Sequence, residues 1–321
     1  MNDTKAMTND ETPNRRITIV GSYNVGLFLK GQRLPVGGET VIADSFTEGG
    51  GGKGSNQAVA ATRLGGEVQL IARLGEDKYG REAMQMYQRL GLNTDTLLLD
   101  PQAHSGISVI LIDDEGHNMI SVARGANANL SNEDLDRLAG TLAASKIVGF
   151  QLENNTETVF HGIRRAHAMG ITTFLDPAPA CPLPDDLLPC LDLVKPNETE
   201  ASIITGIPVS DAASAERAGR WLVEHGVGRA IVTLGAGGAV VVEERASRHY
   251  PPPRVKAIDT TGAGDVFAGA MLAMLAEDHP LGRAVTYANA AASLSTRVVG
   301  VIEAIPDPAQ VDALLQTEVA T

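Results

Sequence analysis

Short apolar runs recur along this chain, spaced so that an amphipathic helix fits between most successive pairs. The runs at Ile17–Val20, Gln69–Ala72, Lys146–Gln151, Thr172–Leu175, Leu191–Lys195 and Arg229–Leu234 read as strands. Between them, apolar residues at helical spacing mark Ala58–Leu64, Arg81–Leu90, Glu157–Met169 and Ala215–Glu224. The alternation predicts an α/β fold: a mainly parallel, doubly wound sheet covered by helices on both faces. Two segments break the rhythm. Residues 26–47 are strand-like and have no helix, and Ser105–Val122 reads as a hairpin around the turn Asp113-Asp114-Glu115-Gly116. The run Pro251-Pro252-Pro253 is a short stiff connector that leads towards one more expected strand. Ligands of such sheets bind beyond the carboxyl ends of the strands, and Asn24, Glu153, Asp176 and Asn197 each follow a strand-like run.

Composition narrows the picture. A chain of 321 residues holds one large domain with a substantial core. Its net charge of −13, from 39 acidic and 26 basic residues, argues against nucleic acid as a partner. The same charge leaves nucleotides open, because a local nest of N–H groups decides phosphate affinity. No apolar stretch of about 20 residues exists, so no membrane span is expected. Residues 1–16 are polar, lack the apolar centre of a signal peptide and read as a disordered tail before one domain over 17–321. Cys181 and Cys190 match no zinc or redox spacing and are expected to be buried free thiols in a reducing cytoplasm.

The candidate chemistry centres on Asp259-Thr-Thr-Gly-Ala-Gly-Asp265, which runs straight into the helical pattern Val-Phe-Ala-Gly-Ala-Met-Leu. Gly262, Ala263 and Gly264 therefore form the turn that opens a helix. A helix start presents unpaired N–H donors and a positive dipole end to an anion such as phosphate. Taken alone, the segment is equally a glycine turn with Asp265 as an ordinary cap. A second signal lies upstream at Gly49-Gly50-Gly51-Gly52-Lys53-Gly54-Ser55-Asn56-Gln57. It is not a phosphate-binding P-loop, which needs Ser or Thr directly after the lysine, where Gly54 stands. It reads instead as a flexible glycine hinge with Lys53 and Asn56 at the mouth of a helix, suited to sugar hydroxyls, or as a surface loop with a solvated lysine.

Together these segments resemble the ribokinase-like (PfkB) family of carbohydrate kinases. Further motifs follow in family order: Gly21-Ser22-Tyr23-Asn24, Gly37-Gly38-Glu39-Thr40, Gln151-Leu152-Glu153, Asp176-Pro177-Ala178-Pro179-Ala180, Pro196-Asn197-Glu198-Thr199-Glu200 and Thr233-Leu234-Gly235. The resemblance covers about Ile17 to Pro306. It implies an ATP-dependent kinase acting on the primary hydroxyl of a small sugar, ribose or a related pentose, ketose or polyol. It also implies a β-sheet lid over the sugar from about 26–48 and 104–124, often shared in a homodimer.

Several residue roles follow from the same resemblance. Asp265 is the catalytic base, and Gly262, Ala263 and Gly264 form the anion hole. That agrees with the needs of phosphoryl transfer, a base at the attacking oxygen and donors around the phosphoryl group. Asn24, Gly52, Lys53, Asn56 and Glu153 bind the sugar. Asn197 and Glu200 organise Mg2+ and the nucleotide phosphates, partly through water; read locally, they are also a helix cap and its first-turn partner. Thr233, Gly235 and Gly238 match the nucleotide-binding turn, and Asn289 the helix beside the adenine, although Ala288–Ser293 equally suits a tightly packed helix. Asp259, Thr261, Ser295, Val298, Gly300 and Ala304 match a K+ loop, with one more residue than ribokinases carry between Arg297 and Pro306. The chain departs from the family at one sugar position: ribokinases read Gly-Ser-x-Asn-x-Asp, and Gly26 replaces that hydroxyl-binding Asp. Leu27 and Phe28 supply no replacement for the carboxylate. Specificity is therefore expected to change rather than merely weaken. Two alternatives remain: a nucleoside kinase of the same family, which leaves the Gly52–Gln57 motif unexplained, and a catalytically idle sugar-binding regulator, against which an intact Asp265 and Glu200 speak.

Overall fold

In the computed structural model, residues 14–319 are described, and the first thirteen residues of the expected tail lie outside them. The chain runs β1 (Arg16–Val20), β2 (Asn24–Lys30), β3 (Ser45–Gly51), α1 (Lys53–Arg63), β4 (Glu67–Gly75), α2 (Lys78–Arg89) and β5 (Leu97–Asp100). Next come β6 (Gly106–Ile112), β7 (Asn118–Ala123), α3 (Asn132–Arg137), α4 (Ala139–Ala143), β8 (Ile147–Gln151), α5 (Thr156–Ala168) and β9 (Thr172–Asp176). The last part comprises β10 (Leu193–Val194), α6 (Glu198–Thr205), α7 (Ala212–Glu224), β11 (Arg229–Thr233), β12 (Ala239–Val242) and β13 (Ser247–Tyr250). It closes with α8 (Ala263–Ala276), α9 (Leu281–Ser295) and α10 (Pro308–Val319).

Nine strands form one sheet in the order β13-β12-β11-β10-β9-β8-β1-β4-β5. Every pairing from β11 to β5 is parallel, and only β12 and β13 run antiparallel at one edge. Alternating side chains feed two cores. Ile17, Ile19, Leu70, Phe174 and Leu193 pack with α1, α8 and α9, whereas Val20, Ile71, Phe150, Leu175 and Val194 pack with α5 and α7. The separate four-stranded sheet has the order β3-β2-β6-β7, with β2 antiparallel to β3 and parallel to β6. The predicted α/β fold and hairpin are thus present, with most helices starting several residues earlier than expected.

Three expectations are corrected. The glycine tract is no flexible hinge: Gly49, Gly50 and Gly51 belong to β3 and pair in register with Gly26, Val25 and Asn24. Backbone pairing carries that strand without side-chain propensity. The stretch after Pro251–Pro253 contains no strand and reaches α8 as irregular backbone. Cys181 and Cys190 are free as expected, but each is only half-buried.

Candidate active site

The site forms where α1 and α8 start side by side beyond the carboxyl ends of β8, β9 and β10. These helices pack closely because small residues meet: a Cβ added to Gly269 would lie 2.6 Å from both Ala60 Cβ and the Gln57 carbonyl oxygen. That approach brings the first turn of α1 against Asp265. Asn56 Nδ2 donates to Asp265 Oδ2 at 2.8 Å, and Gln57 Nε2 donates to Oδ1 at 3.2 Å. Gln57 Nε2 also donates to Asp176 Oδ2 at 2.7 Å, while its own carbonyl accepts from Gln151 Nε2 at 2.7 Å. Asp176 pairs with Lys195 at 3.2 Å, both being almost fully buried, and Lys195 Nζ reaches the Gly264 carbonyl at 3.4 Å. Asn56 Oδ1 is buried without a partner, an acceptor left over beside the carboxylate.

Gly262 caps α8 with φ 74°, a conformation suited to glycine. The Ala263 N–H turns back to the Thr260 carbonyl at 3.2 Å, and the Asp265 and Val266 N–H groups bond the Gly262 carbonyl. Of the three expected anion-hole donors, the Gly262 and Gly264 N–H groups have no partner among the described residues, whereas that of Ala263 is engaged.

A second cluster gathers on Glu153. Its Oε2 accepts from Ser22 Oγ, from Lys53 N at 2.9 Å and from Asn24 Nδ2 at 3.3 Å. Asn24 is oriented in turn by Asn127, whose Nδ2 donates to Asn24 Oδ1 at 3.0 Å. Gly52 is required between β3 and α1, since φ is 93° and a Cβ would sit 2.7 Å from the Asn24 nitrogen. Burial favours the neutral Lys53 amine, but the charges of Asp265, Asp176, Glu153 and Glu200 outweigh it and hold the lysine well above its ordinary value. All five expected sugar-site residues therefore meet at one place with Asp265.

Asn197 and Glu200 form a reciprocal cap on α6: Asn197 Oδ1 accepts from the Glu200 N–H at 2.8 Å, and Glu200 Oε2 accepts from the Asn197 N–H at 2.9 Å. Burial, followed by the Asp176 charge, pushes the Glu200 carboxyl above its ordinary value. Thr233 donates its N–H to the Pro196 carbonyl, placing the nucleotide-turn motif beside the same cap. Gly235 and Gly238 have φ 50° and 83° in that turn. Asn289 Nδ2 donates to the Tyr250 carbonyl at 2.9 Å, tying α9 to the end of β13.

Asp259 accepts from Thr261 N at 2.9 Å and from Gly300 N at 3.0 Å. Burial raises its carboxyl, but these bonds more than offset that and leave it below the ordinary carboxylate value. The Ser295 carbonyl accepts from the Val298 N–H at 3.3 Å, and Ala304 is buried nearby in sequence. Both carboxylate oxygens of Asp259 are thus bonded to N–H groups of the loop. No cluster of three or more metal-ligating side chains occurs among the described residues.

Sequence reasoning missed Ser22, Gln57, Asn127, Gln151 and Lys195 as site residues, and it placed Asp176 at a strand end without giving it a role. All of these but Asn127 sat inside or beside quoted motifs, and the signal available was a polar residue at a strand or helix end. Phe28 was given no role, yet its ring lies over Gly26, with Cε2 and Cζ at 2.6 and 2.9 Å from where a Cβ would be.

The family model for pfkB family carbohydrate kinases matches residues 14–308. A deoxyribokinase of Salmonella typhimurium is 39% identical over 254 residues, which cover 79% of this chain and 83% of that protein. The crystal structure of a ribokinase from Thermotoga maritima superposes with a TM-score of 0.86 at 33% identity, covering 94% of this chain and 99% of that one. The Arabidopsis thaliana ribokinase complexed with ribose and ATP gives a TM-score of 0.86 at 29% identity, over 94% of this chain and 98% of that one.

Proposed function

The chain belongs to the pfkB family of carbohydrate kinases, and from that premise we propose that it moves the γ-phosphoryl group of ATP to the primary hydroxyl of a small sugar, ribose or a related pentose, ketose or polyol. The observation that carries this reading is Asp265: a carboxylate gripped on both oxygens by the amides of Asn56 and Gln57, one residue from a free helix-start N–H. Asp265 takes the proton of the sugar hydroxyl as its oxygen attacks phosphorus. The Gly262 and Gly264 N–H groups meet the charge that develops on the phosphoryl oxygens. Glu153, Lys53, Asn24 and Asn56 hold the other hydroxyls, and the orphaned Asn56 oxygen is an acceptor on a side chain that itself bonds the base.

Nucleotide phosphates lie towards Asn197, Thr233 and Gly235. Mg2+ fits beside Glu200, whose carboxyl burial and the Asp176 charge push above its ordinary value, a cost that a cation relieves. When bound it supplies positive charge to the phosphates and keeps most of its waters. The loop of Asp259 and Gly300 takes K+ in this reading. A homodimer through the small sheet is supported by exposed Phe46, Met119, Ile120 and Val122.

An ATP-turnover screen over pentoses, tetroses, ketoses and nucleosides tests the proposal. Phosphorylation of a free sugar is expected. Turnover with nucleosides alone would replace the sugar by its nucleoside, and no turnover with any acceptor would overturn the reading.

A further inference from the structure

Alternate residues of a strand share a face, so Asn24, Gly26 and Phe28 project from β2 on the same side. Asn24 reaches Glu153 from that side, which makes it the face of the sugar site. Gly26 is paired with Gly49 on β3 and with Ser108 on β6. A Cβ at Gly49 would meet nothing within 4 Å, whereas one at Gly26 would run into the Phe28 ring. Two adjacent glycines thus open a gap in the small sheet, and a phenyl ring folded back along β2 fills its Gly26 side.

We propose that Phe28 sets the sugar specificity. Its ring occupies the volume in which an acidic side chain at position 26 would grow, and it presents C–H instead of a carboxylate to the sugar. The preferred acceptor is a furanose with hydrogen rather than hydroxyl on the edge facing β2, that is, a deoxypentose. This rests on the pentose-kinase reading above. A hydroxyl pressed against the ring loses its water and gains no acceptor. The resulting discrimination against ribose is about 5- to 150-fold in kcat/KM. Ser108 is the polar side chain in the row of Gly26, and it is the rival for any hydroxyl there.

The test compares kcat/KM for ribose, 2-deoxyribose and 3-deoxyribose in the wild type, Phe28→Ala, Phe28→Leu, Ser108→Ala and the double variant Gly26→Asp/Phe28→Ala. Thermal unfolding of each protein is recorded alongside. Gly26→Asp alone is unsuitable, because its Cβ collides with the ring. One deoxy sugar should exceed ribose in the wild type and in Phe28→Leu, which keeps an apolar cover. The preference should shrink at least several-fold in Phe28→Ala and reverse in the double variant. Ribose preferred by the wild type, a preference unchanged in Phe28→Ala, or one that follows Ser108 would overturn the role of Phe28 and leave the kinase reading standing. ATP turnover with none of the three sugars would instead remove the pentose-kinase reading, and this inference with it.

Discussion

Replacing Asp265 by Asn probes the centre of the site in two independent ways. The amide cannot take a proton, so phosphoryl transfer should fall by about 10²–10⁴-fold. It also disturbs a closed pattern of donors and acceptors. Both Asp265 oxygens accept from amide NH2 groups, at 2.8 Å from Asn56 and 3.2 Å from Gln57. The new NH2 group must therefore face another NH2 group, unless Asn56 flips. A flip moves the Asn56 NH2 to the place where its Oδ1 now lies buried and unpaired. Either way one buried NH2 loses its acceptor, at a cost of about 1–3 kcal/mol. For a chain of this length that is roughly 2–4 °C in melting temperature. The exchange variant Asn56→Asp/Asp265→Asn restores every donor–acceptor match and should recover the stability but not the turnover. Calorimetric titration with ADP should show nucleotide binding preserved in both. An Asp265→Asn enzyme working within tenfold of the wild type would refute the base. A melting temperature unchanged in the single variant, or not recovered in the exchange, would refute the bonding pattern.

Two further outcomes are expected. Turnover should be higher in K+ than in Na+ or a bulky organic cation at equal ionic strength, and equal rates in all three would show the Asp259 loop to be silent. Because Glu200 is pushed up by burial and by Asp176, its favourable contribution to stability is complete below the ordinary carboxylate value and is lost as pH rises through its raised value; melting curves over that range should slope downwards more steeply in the wild type than in Glu200→Gln, Mg2+ should flatten the wild-type slope, and parallel curves would contradict the assignment.

The large sheet was legible because its strands are buried on both faces and read as continuous apolar runs, as at Ile17–Val20 and Arg229–Thr233. β3 was not, since Gly49–Gly51 carry no side-chain pattern and owe their conformation to pairing with β2. Asp265, Glu153 and Lys53 were legible through motif order. Lys195 and Gln57 were not, because a lone polar residue at an element end looks the same whether it caps, faces solvent or bridges two carboxylates. Phe28 shows a different limit. Its chemistry was read correctly as offering no carboxylate, but the direction in which its ring lies is a rotamer, which no spacing reveals.

Three strands of the small sheet meet the rest of the chain along one line, and the Lys78–Glu48 ion pair at 3.0 Å ties β3 to α2 away from it. Asn24, Gly51 and Gly106 are neighbours in register, and the three strands enter there within one residue of each other. The line is crowded, since a Cβ at Gly106 would lie 2.0 Å from Asn24 Oδ1 and 2.3 Å from Asn127 Nδ2. Gly52 connects that line to the helix carrying Asn56 and Gln57. A displacement of the small sheet would therefore act on the Lys53–Glu153 bond and on the first turn of α1, which carries the groups that hold Asp265.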